Sequence, residues 1–321
     1  MIIGTGKHTY TWHEHWARIP STPSGRNNGR THGIAALPDG RVIVFAQMVP
    51  GVLVYDAQGT LIDQWGDRFV GGHGLQAVQE NGETFLWLVD QLSCEVCKTT
   101  LDGQLVLRLD HPPLADCPEG KYMPTWADVN PLNGEVWVAD GYGGSSLYRW
   151  SARGDYLGSI VGDEQGNNPF DSPHGLAFGP EGRLYIADRA NHRIAVLDGA
   201  GQTIEERTNV CHSPTSLAIQ DGLLYVAELF GGVKILTTDL NPVAHLGQHP
   251  KLEPAADWPQ KPKWEWPAFA DTDDWPEVGG TPHLRPGVFS SPHGIAVGPN
   301  RDIYVAEWIT GGRIIKLSPA T

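Results

Sequence analysis

SPHGLAFGPEGRLYIADRANHRIAVLDGAGQTIEER, residues Ser172–Arg207, is the stretch that decides the fold. It holds four short runs that read as strands: Gly175–Phe178, Arg183–Ala187, His192–Leu197 and Gln202–Thr208. Turns such as GPEG and DGAG separate them, built from residues that set or tolerate tight backbone geometry. The pattern of a Gly-led strand, a turn and a strand ending in Ala-Asp or Ala-Glu recurs along the chain. A close copy starts at Ser291 (SPHGIAVGPNRDIYVAEWITGGRIIKL) and another at Met123 (MPTWADVNPLNGEVWVADGYGGSSLYRWSARGDYL). Looser copies start at Thr31 (THGIAALPDGRVIVFAQ), Gly72 (GHGLQAVQENGETFLWLVD) and Ser213 (SPTSLAIQDGLLYVAEL).

Six four-stranded units repeated radially specify an all-β, six-bladed β-propeller. The segments PHGIAV, IYVAE and NHRI resemble NHL repeats in particular. The copy from Ser291 leaves room for only about three strands before Thr321. The alternating segment around His8–Trp16 is therefore expected to supply the outer strand of blade six and close the ring. The whole of 1–321 reads as one domain. Its one long surplus, about 247–286, is rich in Pro and carries Trp258, Trp264, Trp266 and Trp275. It reads equally as a lid or interaction surface and as a loop anchored by its tryptophans.

Composition excludes several partners. The 321 residues carry a net charge of −14 and no run of clustered Lys and Arg. Binding to nucleic acid or to an anionic membrane surface is not expected. The start of the sequence has no basic n-region followed by an apolar stretch, and no window reaches the length of a membrane span, so the expectation is a cytoplasmic protein. The four cysteines do not suggest a disulfide framework. Cys94 and Cys97 form a lone CxxC without a second pair, and read as small residues of a blade.

Candidate chemistry lies at the axis. The residue preceding the first strand of each blade is, in order, His32, His73, Thr125, His174, Thr215 and His293. Blades two, four and six lie about 120° apart in a six-fold ring. Imidazoles from His73, His174 and His293 can therefore converge on one metal, with a further position open to substrate or water. Zinc fits such a set, as does another divalent transition metal. His32 breaks the three-fold pattern and is read as a polar channel or substrate group. A second ring of candidates ends the second strands: Gln47, Asp90, Asp140, Glu228 and Glu307, with Tyr142 and Arg189 just after. The acids read as structural, whereas a phenol beside a cation can serve as a base and a guanidinium can clamp a carboxylate. His192 and Arg193 read as structural, and His13 and His15 as surface residues.

These residues resemble the peptidyl-α-hydroxyglycine α-amidating lyases, six-bladed NHL propellers with a tri-His zinc site. The likeness covers most of Gly72–Leu317 apart from the surplus segment. GHGLQ, SPHGLAF and SPHGIAV imply His73, His174 and His293 as metal ligands. PTWADV with VADGYGGSSL resembles the segment carrying the proposed base, which implies Tyr142. IADRANHRI resembles the segment carrying an active-site arginine, which implies Arg189. The chain also departs from that family. Gln47, in VIVFAQM, stands where the family has a second arginine, and is expected at the substrate. Gly294 replaces the aspartate of the family's structural calcium, which argues against calcium here. Gly143 stands where a disulfide cysteine would be.

The resemblance implies a metal-dependent lyase acting on a small carbinolamide or related α-hydroxy substrate. Two alternatives accompany it: a hydratase, dehydratase or hydrolase using the same site, and a non-enzymatic NHL scaffold.

Overall fold

A computed structural model describes residues 1–161, 169–229, 231–248 and 284–320. Six antiparallel sheets are arranged as the blades of a propeller. Blade four, the copy from Ser172, has strands Pro173–Phe178, Leu184–Asp188, Arg193–Leu197 and Thr203–Thr208. Their ends fall within two residues of the sequence reading. The inner strands of the other blades are Arg30–Ala36, Gly72–Glu80, Trp126–Val129, Pro214–Gln220 and Pro292–Val297. Each inner strand touches those of the two neighbouring blades, so the six form a closed ring around the axis.

Packing follows from strand periodicity. The second and third strands of a blade are buried on both faces, and they read as continuous runs such as VIVF, LYIA and IYVA. The outer strands are largely exposed. Each of the six interfaces between neighbouring blades is filled by one apolar cluster. The cluster between blades five and six packs Tyr225, Val233 and Ile235 against Ile303, Ile315, Leu317 and Trp12.

Closure is by the N-terminal segment. Strand His8–Ala17 pairs antiparallel with Arg313–Pro319 of blade six, from Tyr10 opposite Pro319 to Ala17 opposite Ile314. A further strand, Ile2–Thr5, folds back on it as a hairpin and makes this sheet five-stranded. That extra strand has no counterpart in the repeat pattern. Buried Arg313 clasps the seam. It bonds Glu14 of the closing strand through Nε (2.8 Å) and Nη2 (2.7 Å), and Glu307 of its own blade through Nη1 (2.7 Å).

The tryptophans of the surplus segment, Trp258, Trp264, Trp266 and Trp275, lie outside the described residues. Among the described residues no helix is long and apolar enough to cross a membrane. All four cysteines are free. Cys97 is buried in the core between blades one and two, and burial pushes its thiol up to about 12. Cys94 instead lies against the Tyr122 carbonyl (3.1 Å).

Candidate metal centre

In five of the six blades the inner strand begins with an irregularity that aims one side chain at the axis. In blade four Pro173 pairs with Asp188 and Gly175 with the adjacent Ala187, so His174 stands between them as an extra, unpaired residue. The same register shift isolates His32, His73, Thr215 and His293. Such a bulge bends the strand and re-aims the side chain of the extra residue. The glycine after each histidine follows from the close approach of neighbouring inner strands. A Cβ on Gly175 would lie 2.4 Å from the Thr215 carbonyl oxygen, one on Gly74 2.5 Å from that of Thr125, and one on Gly294 2.0 Å from that of His32.

Four imidazoles meet on the axis. Ring centroids of His73, His174 and His293 form a nearly equilateral triangle with sides of 4.7, 4.8 and 4.8 Å. His32 caps the opposite side of one edge, 4.8 Å from His73 and 4.4 Å from His293. All four rings are buried. Burial holds each one well below the usual histidine range, His73 at about 3, so all are neutral at neutral pH. Neutral imidazole is the form that ligates a metal.

Two of the rings have fixed tautomers. His73 Nδ1 bonds the Thr125 carbonyl at 2.7 Å, and His174 Nδ1 bonds that of Thr215 at 2.8 Å. A carbonyl only accepts, so both Nδ1 atoms carry the proton and both Nε2 atoms present lone pairs. Those lone pairs converge on the Tyr142 hydroxyl, at 3.3 Å from His73 and 2.9 Å from His174. One hydroxyl proton cannot serve two acceptors, which leaves a lone pair of the pair underused. Buried Nδ1 atoms of His32 and His293 make no hydrogen bond. Unsatisfied buried nitrogens of neutral imidazoles, gathered at one point, suit a divalent transition metal. A carboxylate-loving calcium ion finds no carboxylate within this set.

Tyr142 is placed by its own loop. The Asp140 carboxylate accepts from the backbone N–H of Met123 (2.6 Å) and Gly144 (2.7 Å), folding the GYGG turn around itself. A Cβ on Gly143 would lie 2.3 Å from the Asp140 carboxylate, so this turn admits no side chain there. Arg189 closes the arrangement. Its Nη1 donates to the Tyr142 oxygen (3.0 Å), its Nη2 to Ser172 Oγ (3.0 Å), and its guanidinium lies 5.0 Å from the Tyr142 ring centre.

The other candidates divide cleanly. Asp90, Asp140, Glu228 and Glu307 cap backbone N–H groups of the loop before the inner strand of their blade: Val70 and Gly71, Met123, His212, and Ser290 with Ser291 respectively. Their role is structural. Arg193 bonds Asp188, Glu206 and the Pro169 carbonyl, and His192 Nδ1 accepts from the Ser213 N–H. His13 and His15 are exposed. Gln47 ends its strand opposite Arg30, and among the described residues its side chain makes no hydrogen bond to the histidines. The structure thus brings His32, but not Gln47, into contact with the cluster. Two neighbours escape a reading of the repeat. Trp308 packs edge-on to His32 with centroids 6.3 Å apart, and the Arg30 guanidinium sits 5.6 Å from the Trp308 ring centre. Trp308 follows Glu307 just as Arg189 follows Asp188, so aligning blade six on blade four at that position would have found it.

Comparison with known proteins agrees with this architecture. The NHL repeat family matches residues 170–197. Human NHL repeat-containing protein 3 is 28% identical over 168 residues, covering 47% of this chain and 46% of that protein. The probable peptidyl-alpha-hydroxyglycine alpha-amidating lyase pgal-1 of Caenorhabditis elegans is 26% identical over 179 residues, 54% of this chain and 50% of that protein. The chain thus spans about half the length of the curated relatives it matches. A solved streptogramin B lyase superposes with a TM-score of 0.61 at 17% identity, over 97% of this chain and 98% of that one, a likeness of fold. The chain is a six-bladed β-propeller with an NHL repeat in its fourth blade, related in sequence to proteins named for NHL repeats and for peptide α-amidation.

Proposed function

We propose that this chain is a metal-dependent lyase that cleaves a small carbinolamide or related α-hydroxy compound. The observation that carries the reading is the Tyr142 hydroxyl, held between the Nε2 atoms of two neutral histidines and the guanidinium of Arg189. His73, His174 and His293 would hold a divalent transition metal, zinc or another, which when bound supplies Lewis acidity toward a substrate hydroxyl or carbonyl oxygen.

The chain's own groups account for the proton movements. The Tyr142 phenolic oxygen is the group placed to take the proton of the substrate hydroxyl. The electron pair left on that oxygen forms the C=O bond of an aldehyde, such as a glyoxylate, as the C–N bond breaks. The departing amide nitrogen then receives a proton, which Tyr142 can return. Arg189 donates to the phenolic oxygen and stabilises the negative charge on it while the proton is away. Its second nitrogen, resting on Ser172, is the one that could turn toward a substrate carboxylate. His32 and Gln47 are proposed at the substrate end of the site, with Arg30 and Trp308 beside His32. Similarity to the probable amidating lyase supports the reaction class and, with it, a carbinolamide substrate.

The same groups could eliminate water or hydrolyse an ester, and the products separate these reactions. Metal-loaded protein is incubated with a panel of α-hydroxyamides, α-hydroxy acids and lactones, with products identified by mass spectrometry. The expected result is amide plus aldehyde from an α-hydroxyamide, with Tyr142→Phe slower by about 10²–10⁴-fold. Turnover of lactones or hydroxy acids alone would replace the lyase by a hydrolase or dehydratase. No turnover of any compound by metal-loaded protein would favour a binding scaffold.

A further inference from the structure

We propose that His32 is itself a metal ligand, so that the centre is a four-imidazole site and not a three-imidazole one. The inference rests on the metal reading above and adds to it the identity of a fourth donor and the kind of ion that follows.

Three observations point to it. His32 is buried and reaches the axis from the same bulge as the other three histidines. The ligand atoms of His32, His73 and His293 all lie within 4.8 Å of one another, so His32 completes a triangle on the far side of the His73–His293 edge from His174. Finally, the hydrogen bonding of the four rings is uneven. His73 and His174 spend their Nδ1 protons on the carbonyl of the next blade's axial residue. His293 does not make the equivalent bond to the His32 carbonyl, and the Nδ1 atoms of both His32 and His293 are buried without a partner. Their ring centroids are 4.4 Å apart, the shortest separation in the cluster. A buried nitrogen with no partner calls for an explanation, and a shared cation gives one to both at once.

The fourth ligand changes which ion suits the site. Four protein ligands on tetrahedral zinc make a closed, structural type of site, whereas catalysis needs an open position. With four imidazoles an open position requires an ion at ease with five or six ligands, such as iron, cobalt, nickel or manganese.

Cobalt(II) is the probe. Metal-free wild-type protein and the variants His32→Ala, His32→Gln and His174→Ala are titrated with cobalt(II). Visible absorption reports coordination number, and competition with a chelator reports affinity. Circular dichroism confirms that each variant is folded. The expected result is weak, five- or six-coordinate absorption in the wild type. In both His32 variants the absorption strengthens toward the four-coordinate form, and affinity falls by more than the roughly 10–100-fold that loss of a supporting group costs. Strong four-coordinate absorption in the wild type, unchanged in the His32 variants while His174→Ala abolishes binding, would overturn the fourth ligand and leave the three-histidine lyase reading standing. No cobalt binding by the wild type would sink both.

Discussion

Replacing Gly175 by Ala tests the account of why the histidines reach the axis. The backbone at Gly175 is not in the left-handed region, so alanine meets no conformational penalty there. The cost comes from the neighbouring blade. The new methyl would lie 2.4 Å from the Thr215 carbonyl oxygen and 2.7 Å from the Ser216 Cα, both backbone atoms of blade five's inner strand. Ordinary contact needs about 3.4–4 Å, so the two strands must part by about 1 Å. Overpacking of this kind costs about 1–3 kcal/mol. For a domain of this size each kcal/mol lowers Tm by roughly 2–4 °C, so a fall of about 2–12 °C is expected. Thr215 also accepts the His174 Nδ1 proton, so the same displacement disturbs the centre. Cobalt affinity should fall alongside Tm. The control is Gly199→Ala, in a turn where the nearest atom to a new methyl is 3.7 Å away and no penalty is expected. The assay is thermal unfolding by circular dichroism. A Gly175→Ala protein that melts within about 1 °C of wild type and binds cobalt normally would refute backbone-on-backbone packing as the reason for the His-Gly pairs.

Acid should destabilise the metal-free protein through its axial histidines. Their folded pKa values lie below the unfolded value of about 6.5, His73 at about 3, because burial disfavours charge. The unfolded chain therefore binds more protons between about pH 3 and 6.5, and stability is full above that window. It falls by up to ~1.4 kcal/mol per pH unit for each histidine as pH drops through it. Urea midpoints at pH 7.5 and 5.0 measure the loss, which should shrink in His174→Gln; an equal loss there would show that other groups carry the acid sensitivity. Arg313→Ala leaves buried Glu307 unpaired at the seam and should cost about 3–5 kcal/mol. Limited proteolysis should then cut the released N-terminal strand first, and a seam as resistant as the wild type's would contradict the clasp.

The sequence carried the blades because its pattern is local. Turn chemistry and the buried runs set strand ends in blade four to within two residues, and the repeated position before the Gly-led strand placed His32, His73, His174 and His293 on one axis. Tyr142 and Arg189 were legible through family resemblance and through their place after Ala-Asp, and the structure puts Tyr142 against the histidines and Arg189 against Tyr142. Other features depended on contacts distant in sequence. The bulge that aims the axial residues is a matter of strand register, which no single strand encodes. The acids read as structural, but that Asp140 shapes the Tyr142 turn depends on burial and backbone partners that residue type does not reveal. Ile2–Thr5 pairs only with its neighbour and lies outside the repeat, so periodicity was blind to it. Trp308 comes near His32 and Arg30 because blades one and six adjoin, a neighbourhood created by ring closure.

That closure places the centre across the line where the two ends of the ring meet. His293 belongs to the last blade and His32 to the first, so their rings face each other over the seam that strand His8–Ala17 zips shut. Opening the seam parts them. An ion gripped by both would thus lock the circle from the inside, while Arg313 fastens it from the rim. Ring opening and ion release then draw on one shared free energy, and each histidine removed from the seam loosens the circle as well as the ion.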